Sequence, residues 1–167
     1  VAQIAHECGA VVLCVATRPF TFEGARRGRI AEEGIAVLKD FVDTLVVIPN
    51  DRVLGMVEKR ASLQDSFRLL DDVLRQTIQG ISELATNSGI VRVGFGELKK
   101  VLTLGGAALV SIARATGPQR AVVAAETALD SELLGVTLIG ARGILVNVTG
   151  GPDMTVTDVE QATAVIK

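Results

Sequence analysis

The chain has little of several residue types on which common functional sites depend. Of its 167 residues, none is Trp or Tyr, five are Phe, two are Cys and one is His. Cys8 and Cys14 match no zinc or redox spacing, and His6 has no second histidine with which to share a metal. We therefore expect two reduced cysteines, with Cys14 acting as a small core residue, and no metal site.

Charge and hydropathy exclude two further classes. The formal net charge is -2, with 17 basic and 19 acidic residues intermixed along the chain, so no basic face for nucleic acid is expected. The apolar run at residues 10–16 is far shorter than the roughly 20 residues that cross a membrane. Without a secretory signal, these features predict a cytoplasmic protein with no direct membrane insertion. One local basic cluster, Arg26, Arg27 and Arg29, fits a solvated helix face and a phosphate contact equally well.

The first third of the chain has the order of a parallel α/β unit. A helix ends near Cys8, where Gly9 is a stop signal, and an apolar strand covers residues 10–17. Residues 24–39 have helical spacing, and residues 44–48 form a second buried strand. Strand, helix and strand in this order imply a right-handed crossover and a parallel sheet.

A long amphipathic helix follows. Residues 62–86 keep a helical apolar stripe, and Ser62 with Asp65 forms a capping box. Beyond it we predict a helix at 95–104, a strand at 107–115, a helix at 119–134, a strand at 143–149 and a last helix capped by Thr157 with Glu160. Two strands are too few for a stable sheet, so this second lobe is expected to be incomplete.

Five sequence segments, in order and at matching intervals, resemble the FtsZ family of tubulin-like cell-division GTPases. They are RPFTFEG (18–24), VDTLVVIPND (42–51), VLRQ with QGI (73–76 and 79–81), ATG (115–117) and GARGILVNVTGG (140–151). The resemblance implies an α/β fold in three parts: the back half of a GTP-binding domain (1–61), a core connecting helix (62–87), and the front half of a smaller two-layer C-terminal domain (88–167). No glycine-rich phosphate loop is present, so the chain is interpreted as an interior piece.

The resemblance also implies a guanine-nucleotide pocket. Glu23 would accept hydrogen bonds from the ribose hydroxyls and Arg27 would place a cation near the nucleotide. Asn50 and Asp71 would bind the guanine edge, and Phe67 would stack on the base. Each residue alone has an ordinary structural explanation as well: a core Phe67, a helix-capping Asn50, and a surface ion pair between Glu23 and Arg27.

The loop after the core helix departs from the family pattern. There the family carries an Asn and two Asp residues that complete the hydrolytic site of the next subunit. In SGIVRVGFGEL (88–98) these positions are Arg92, Gly94 and Glu97. One acid remains, as Glu97, and Arg92 brings a positive charge toward the partner's phosphates. Neutral drift in a solvent-exposed loop is the alternative explanation for Arg92 and Gly94.

These features predict a GTP-binding, self-assembling division protein that hydrolyses GTP slowly, with an isolated fragment inactive. The implied cofactors are GTP or GDP with Mg²⁺, for which this chain supplies no ligand. The implied partners are further copies in a head-to-tail protofilament at the division site. The alternative is a non-hydrolysing relative that co-assembles with an active FtsZ and regulates it. A third possibility, from another class, is a metabolic enzyme with a doubly wound sheet that binds a small phosphorylated ligand.

Overall fold

The structure is a computed structural model that describes residues 1–55, 62–86, 93–105, 107–130 and 140–167. In these residues the chain forms α-helices and short parallel strands, with a 3₁₀ turn at Thr21–Glu23. The elements are α1 (Ala2–Glu7), β1 (Leu13–Arg18), α2 (Ala25–Leu38), β2 (Thr44–Pro49), α3 (Asn50–Gly55), α4 (Leu63–Thr86), α5 (Phe95–Leu102), β3 (Ala107–Ala108), α6 (Arg120–Leu129) and α7 (Val156–Ile166).

The predicted parallel unit is confirmed, and β2 is its central strand. β1 pairs with β2 from Leu13↔Thr44 to Arg18↔Pro49, and β2 pairs with β3 through Leu45↔Ala107 and Val46↔Ala108. The sheet order is β1-β2-β3. Leu45, Val46 and Ile48 are buried, as a continuous apolar run predicts for a parallel strand that is covered on both faces.

The main core lies where β2 meets α4. Its buried members are Phe20, Val46, Ile48, Val53, Leu70 and Val73. Leu70 and Val73 are three residues apart, so they lie on one face of α4 and point into the same cluster. The capping box predicted at the start of α4 is confirmed: the Asp65 N–H donates to Ser62 Oγ at 3.1 Å, and the Ser62 N–H donates to Asp65 Oδ2 at 3.3 Å.

The second half differs from the prediction in its strands. Of the strand predicted at 107–115, only Ala107–Ala108 forms a ladder, and the described structure assigns no strand to 143–149. An extended apolar segment becomes a strand only when a neighbour supplies backbone hydrogen bonds, and Ile144, Val146 and Val148 remain exposed. Since β3 pairs with β2, the sheet crosses the predicted boundary between 1–61 and 88–167. That division of the chain remains a prediction.

The last two helices also start or end differently. α6 is described only as Arg120–Leu129, and residues 131–134 of the predicted helix lie outside the described residues. The prediction that Thr157 and Glu160 cap the last helix was wrong by two residues. Thr155 has an extended backbone, and its hydroxyl accepts a hydrogen bond from the Asp158 N–H at 3.2 Å. Both positions fit the same capping pattern, so sequence alone did not separate them.

Two leucines on α4 provide a test of where the core lies. Leu70 is 5% exposed and Leu63 is 59% exposed. We expect Leu70→Ala to lower the free energy of unfolding by about 2–5 kcal/mol, because it leaves a cavity in the central cluster. Leu63→Ala is the matched control and should change it by less than about 0.5 kcal/mol. Urea unfolding followed by far-UV circular dichroism measures both, and equal losses would contradict this packing.

A charged cluster joins α6 to α7 and makes the stability of the fold depend on pH. Arg120 Nη2 bonds Asp158 Oδ2 at 3.0 Å, and the same guanidinium pairs with Asp153. The hydrogen bond from Arg120, followed by those from the Thr155 backbone and hydroxyl, lowers the pKa of Asp158 from 3.8 to about 2. A depressed folded-state pKa gives stability that is complete above the unfolded pKa and is lost as the pH falls through the folded one.

We therefore expect Asp158→Asn to lower the melting temperature at neutral pH. The difference from the unaltered protein should shrink as the pH falls from about 4 to about 2, because protonation then removes the same charge. Melting curves by circular dichroism across this range measure the difference. A difference that stays constant down to pH 2 would show that Asp158 is not stabilised as a carboxylate.

Candidate functional site

A cavity at the carboxyl end of the sheet brings three of the predicted site residues together. Its volume is about 330 Å³, and its lining is Thr17, Pro19, Glu23, Arg27, Ile30, Ala31 and Asn50. It lies where β1 and β2 end and α2 begins, which is where open parallel sheets bind their ligands. Of the three arginines at 26, 27 and 29, only Arg27 lines this cavity among the described residues.

Asn50 contributes a buried polar atom to this cavity. It is the first residue of α3 and follows β2 without an intervening loop. The residue is 5% exposed, and its Oδ1 has no hydrogen-bond partner among the described residues. An unpaired buried acceptor is costly, so Asn50 is the polar group of the cavity wall that most needs an additional hydrogen-bond donor.

Glu23 and Arg27 form the ion pair that their spacing suggested. Glu23 Oε1 accepts from the Phe20 N–H at 2.9 Å, and Oε2 pairs with Arg27 Nη1. The Glu23 side chain is 16% exposed, whereas the Arg27 side chain is 69% exposed. An ionised carboxylate has about four lone-pair sites, so Glu23 retains capacity to accept from a ligand. Gly24, at a φ of +97°, makes the turn into α2 in a backbone region that favours glycine.

Hydrogen bonds to Asp51 and to Glu32 hold the loop that carries Glu23. These contacts were not predicted from the sequence. Thr21 donates through its N–H to Asp51 Oδ1 at 3.0 Å and through its hydroxyl to Asp51 Oδ2. These bonds lower the pKa of Asp51, the hydroxyl bond being the larger cause. Arg18 makes two bonds to Glu32, at 2.6 and 3.2 Å. An acid two residues beyond a strand end was the available signal for Asp51.

Phe67 and Asp71 lie on α4 and do not line this cavity. The Phe67 ring is 40% exposed and meets Phe20 edge-on, with centroids 5.3 Å apart, and Phe20 stacks on Phe22 at 4.9 Å. Phe67 therefore reaches the cavity wall only through Phe20, the neighbour of Pro19. Asp71 is exposed one turn further along α4. Base stacking by Phe67 and guanine recognition by Asp71 remain predictions.

The substituted loop is described only in part, since Arg92 lies outside the described residues. Gly94 precedes α5 with φ −64° and ψ 146°, and a Cβ there would meet nothing nearer than Glu97 Oε2 at 3.9 Å. The backbone at position 94 therefore leaves room for a Cβ. Glu97 is exposed, and its Oε2 accepts from the Gly94 N–H at 3.3 Å.

A second, larger cavity of about 510 Å³ lies at the opposite end of the sheet. It is formed by residues 9–13, the carboxyl-terminal half of α4, and α5, which contributes Phe95 and Leu98. Its wall is apolar apart from Ser82 and Lys99. It contains none of the predicted site residues, so it is a weaker candidate for a polar ligand.

Within residues 1–55, 62–86, 93–105, 107–130 and 140–167, no group of three or more His, Cys, Asp or Glu side chains could hold a metal ion. In the same part of the chain, no helix combines the length and the apolar character that crossing a bilayer requires.

Comparisons with known proteins agree with the resemblance seen in the motifs. A model of the FtsZ family C-terminal domain matches residues 106–167. Two solved structures of M. jannaschii FtsZ match 99% of the chain at 37% identity: an empty dimer with a TM-score of 0.94, and a tryptophan-to-tyrosine mutant with a TM-score of 0.93. The chain spans about half of their length, 48% and 49% respectively. Fold, identity and family match together show that this chain belongs to the FtsZ family.

Proposed function

We propose that this chain is part of a GTP-binding, self-assembling protein of cell division. The observation that carries the proposal is the convergence of Glu23, Arg27 and Asn50 on one cavity, together with the buried Asn50 Oδ1, which has no partner among the described residues. A nucleoside supplies the missing chemistry, because its base and ribose carry several N–H and O–H donors. Membership of the FtsZ family makes GTP or GDP the expected nucleotide.

Each side chain of the cavity has a distinct part in this proposal. Glu23 accepts hydrogen bonds from the ribose hydroxyls through its remaining lone pairs. Arg27 turns from Glu23 toward the nucleotide, as its exposure allows. Asn50 binds the guanine edge. Phe67 and Asp71 do not line the cavity in the described structure, and their contacts with the base from α4 are part of this proposal. Mg²⁺ accompanies the phosphates, and we assign it no ligand in this chain.

Two half-sites, the cavity beside Glu23 and the start of α5, lie far apart in one copy, and their positions support assembly from head to tail. The Glu23 cavity lies at the carboxyl ends of β1 and β2, whereas Phe95 and Leu98 of α5 pack beside residues 9–13, at the amino end of β1. The Thr44 hydroxyl, at the start of β2, donates to the Leu102 carbonyl of the same helix. Six strand residues, about 20 Å, separate the two ends. A loop beside α5 therefore serves the nucleotide of a second copy, which is a contact that propagates into filaments.

Hydrolysis would transfer the terminal phosphoryl group of GTP to water at this junction. Water attacks the γ-phosphorus, the bond to the β–γ bridging oxygen breaks, and GDP and phosphate leave. An acid in the loop orients the water and accepts its proton. With glycine at 94 and arginine in place of the family Asn at 92, one carboxylate remains, so we expect slow turnover. The protein would act in the cytoplasm at the division site.

A second candidate function rests on the same loop. A relative that binds GTP without hydrolysing it could enter the filaments of an active FtsZ and stabilise them. Arg92, Gly94 and Glu97 favour this alternative over an ordinary GTPase. Co-sedimentation with an active FtsZ, with no turnover of its own, distinguishes it. An unrelated phosphate-binding metabolic enzyme loses its support because the chain belongs to the FtsZ family.

The two neighbouring arginines test the cavity. In the full-length protein, Arg27→Ala should raise the dissociation constant for GDP roughly tenfold or more, because it removes a charged hydrogen-bond donor. Arg26→Ala, which changes a side chain outside the cavity lining, is the control and should leave it unchanged. Isothermal titration calorimetry measures both constants. Equal effects of the two changes would indicate a general loss of positive charge instead of a defined contact.

The loop is tested by restoring the family residues. We expect Arg92→Asn combined with Gly94→Asp to raise GTP turnover by the full-length protein by roughly tenfold or more, since it returns an acid to the junction. Phosphate release, measured beside light scattering for assembly, separates the two effects. Brisk turnover in the unaltered protein would contradict the proposal of slow hydrolysis, and would identify the loop change as neutral.

A further inference from the structure

The two polar contacts that the proposed function assigns to the ribose and the base come from different segments. Glu23 ends the 3₁₀ turn that follows β1, and Asn50 begins α3 directly after β2. The core fixes Asn50, which is 5% exposed. The turn around Glu23 lies at the surface, where Thr21 and Phe22 are exposed. Simultaneous binding of ribose and base therefore depends on contacts that set the position of this turn relative to Asn50.

Thr21 and Asp51 make such a contact. Thr21 is two residues before Glu23, and Asp51 is the residue after Asn50. The Thr21 N–H donates to Asp51 Oδ1 at 3.0 Å, and the Thr21 hydroxyl donates to Asp51 Oδ2. Because one bond holds the backbone of the turn and the other holds a side chain, the pair of bonds limits both the distance and the orientation. The segment with the ribose acceptor is thereby attached to the segment with the base contact.

Other contacts of the turn have different effects. The Phe20 N–H donates to Glu23 Oε1 at 2.9 Å, which orients the carboxylate within its own turn. The buried Phe20 ring belongs to the core cluster that also contains Val53 of α3, and its packing places the start of the turn. Apolar packing is not directional, so the hydrogen bonds to Asp51 supply an orientation that packing alone does not.

The charge of Asp51 also indicates a positioning role. Asp51 does not line the cavity, and a negative charge close to it is unfavourable for a ligand that carries phosphates. The bonds from Thr21 lower the pKa of Asp51, the hydroxyl bond being the larger cause, and an ionised carboxylate is a strong acceptor. An acid in the first turn of α3 also suits the helix dipole, but the dipole does not account for two bonds from Thr21.

We infer that Thr21 and Asp51 are positioning residues, which hold the ribose acceptor Glu23 in register with the base contact Asn50. The inference rests on the proposed function and extends it by naming the contact on which ribose recognition depends. Neither Thr21 nor Asp51 touches the nucleotide. A turn that is ordered before binding loses little conformational freedom when the ligand binds, so loss of the contact should weaken the ribose contribution to affinity.

A nucleotide without ribose hydroxyls isolates this contribution. 2′,3′-Dideoxy-GDP lacks the donors that Glu23 would bind but keeps the base and both phosphates. The full-length protein should bind GDP roughly tenfold more tightly than the dideoxy analogue. Thr21→Val keeps the β-branched shape and removes the hydroxyl donor, so the ratio of the two dissociation constants should fall to about threefold or less. Isothermal titration calorimetry measures both constants.

Three further variants complete the experiment. Thr21→Ser should restore the ratio, because it returns the hydroxyl. Asp51→Ala should lower the ratio as Thr21→Val does, and the double variant should lower it no further than Asp51→Ala, since both changes remove one contact. Thr127→Val, which removes an exposed hydroxyl on α6, is the control and should leave the ratio unchanged.

The ratio separates positioning from general damage. A lost charge or a loosened fold would change the affinity for both nucleotides equally, because both carry the same base and diphosphate. A ratio that stays at its original value in Thr21→Val and Asp51→Ala would therefore overturn the inference and leave the proposed function intact. If the unaltered protein binds both nucleotides equally, or binds neither, then Glu23 does not contact a ribose, and the proposed function fails together with the inference.

Discussion

The burial of β2 is the constraint on which the rest of the structure depends. This strand is hydrogen-bonded on both edges, by β1 and β3, and Val46 and Ile48 enter the core that Leu70 and Val73 of α4 complete. β1 pairs along the whole of β2, and in the described residues β3 pairs with Leu45 and Val46 near its start. Since α3 begins at the residue after Pro49, the position of Asn50 follows directly from the packing of the core. The sheet therefore places Asn50, and the Thr21–Asp51 and Arg18–Glu32 contacts hold the loop that brings Glu23 to the same cavity.

In this chain, an acidic residue at the start of a helix has two possible roles, as a helix cap or as a ligand contact. An acid three residues after a helix start both completes a cap and places a carboxylate near an exposed loop, where a sequence motif suggests function. Glu23 and Glu97 share this bond, but their surroundings differ. Glu23 is mostly buried, faces a cavity and lies beside an arginine, whereas Glu97 is exposed on a short helix. Burial and convergence with other polar groups mark Glu23 as a candidate ligand contact, and neither can be obtained from spacing.

What the sequence predicted well is what local pattern determines. The parallel unit, the long α4 and its Ser62–Asp65 cap depend on apolar periodicity and on residues within four positions of one another. The strands at 107–115 and 143–149 were predicted from the same kind of pattern, but a ladder needs a partner strand, which no local signal supplies. In the site, motif matching found Glu23, Arg27 and Asn50, which the fold brings to one cavity. It could not find the Thr21–Asp51 contact, because those residues lie 30 positions apart.

The separation of the two half-sites also affects how the proposed GTP turnover would depend on protein concentration. α4 contacts the cavity side of the core through Phe67, and its carboxyl-terminal half lines the apolar cavity beside α5. One continuous helix, about 36 Å long, thus spans the distance between the candidate cavity and the apolar cavity beside α5. α4 cannot bend within one copy without disrupting the packing of Leu70 and Val73, which stabilises the core. Hydrolysis through the loop would then require a second copy, and its rate would rise with assembly and not with nucleotide binding alone.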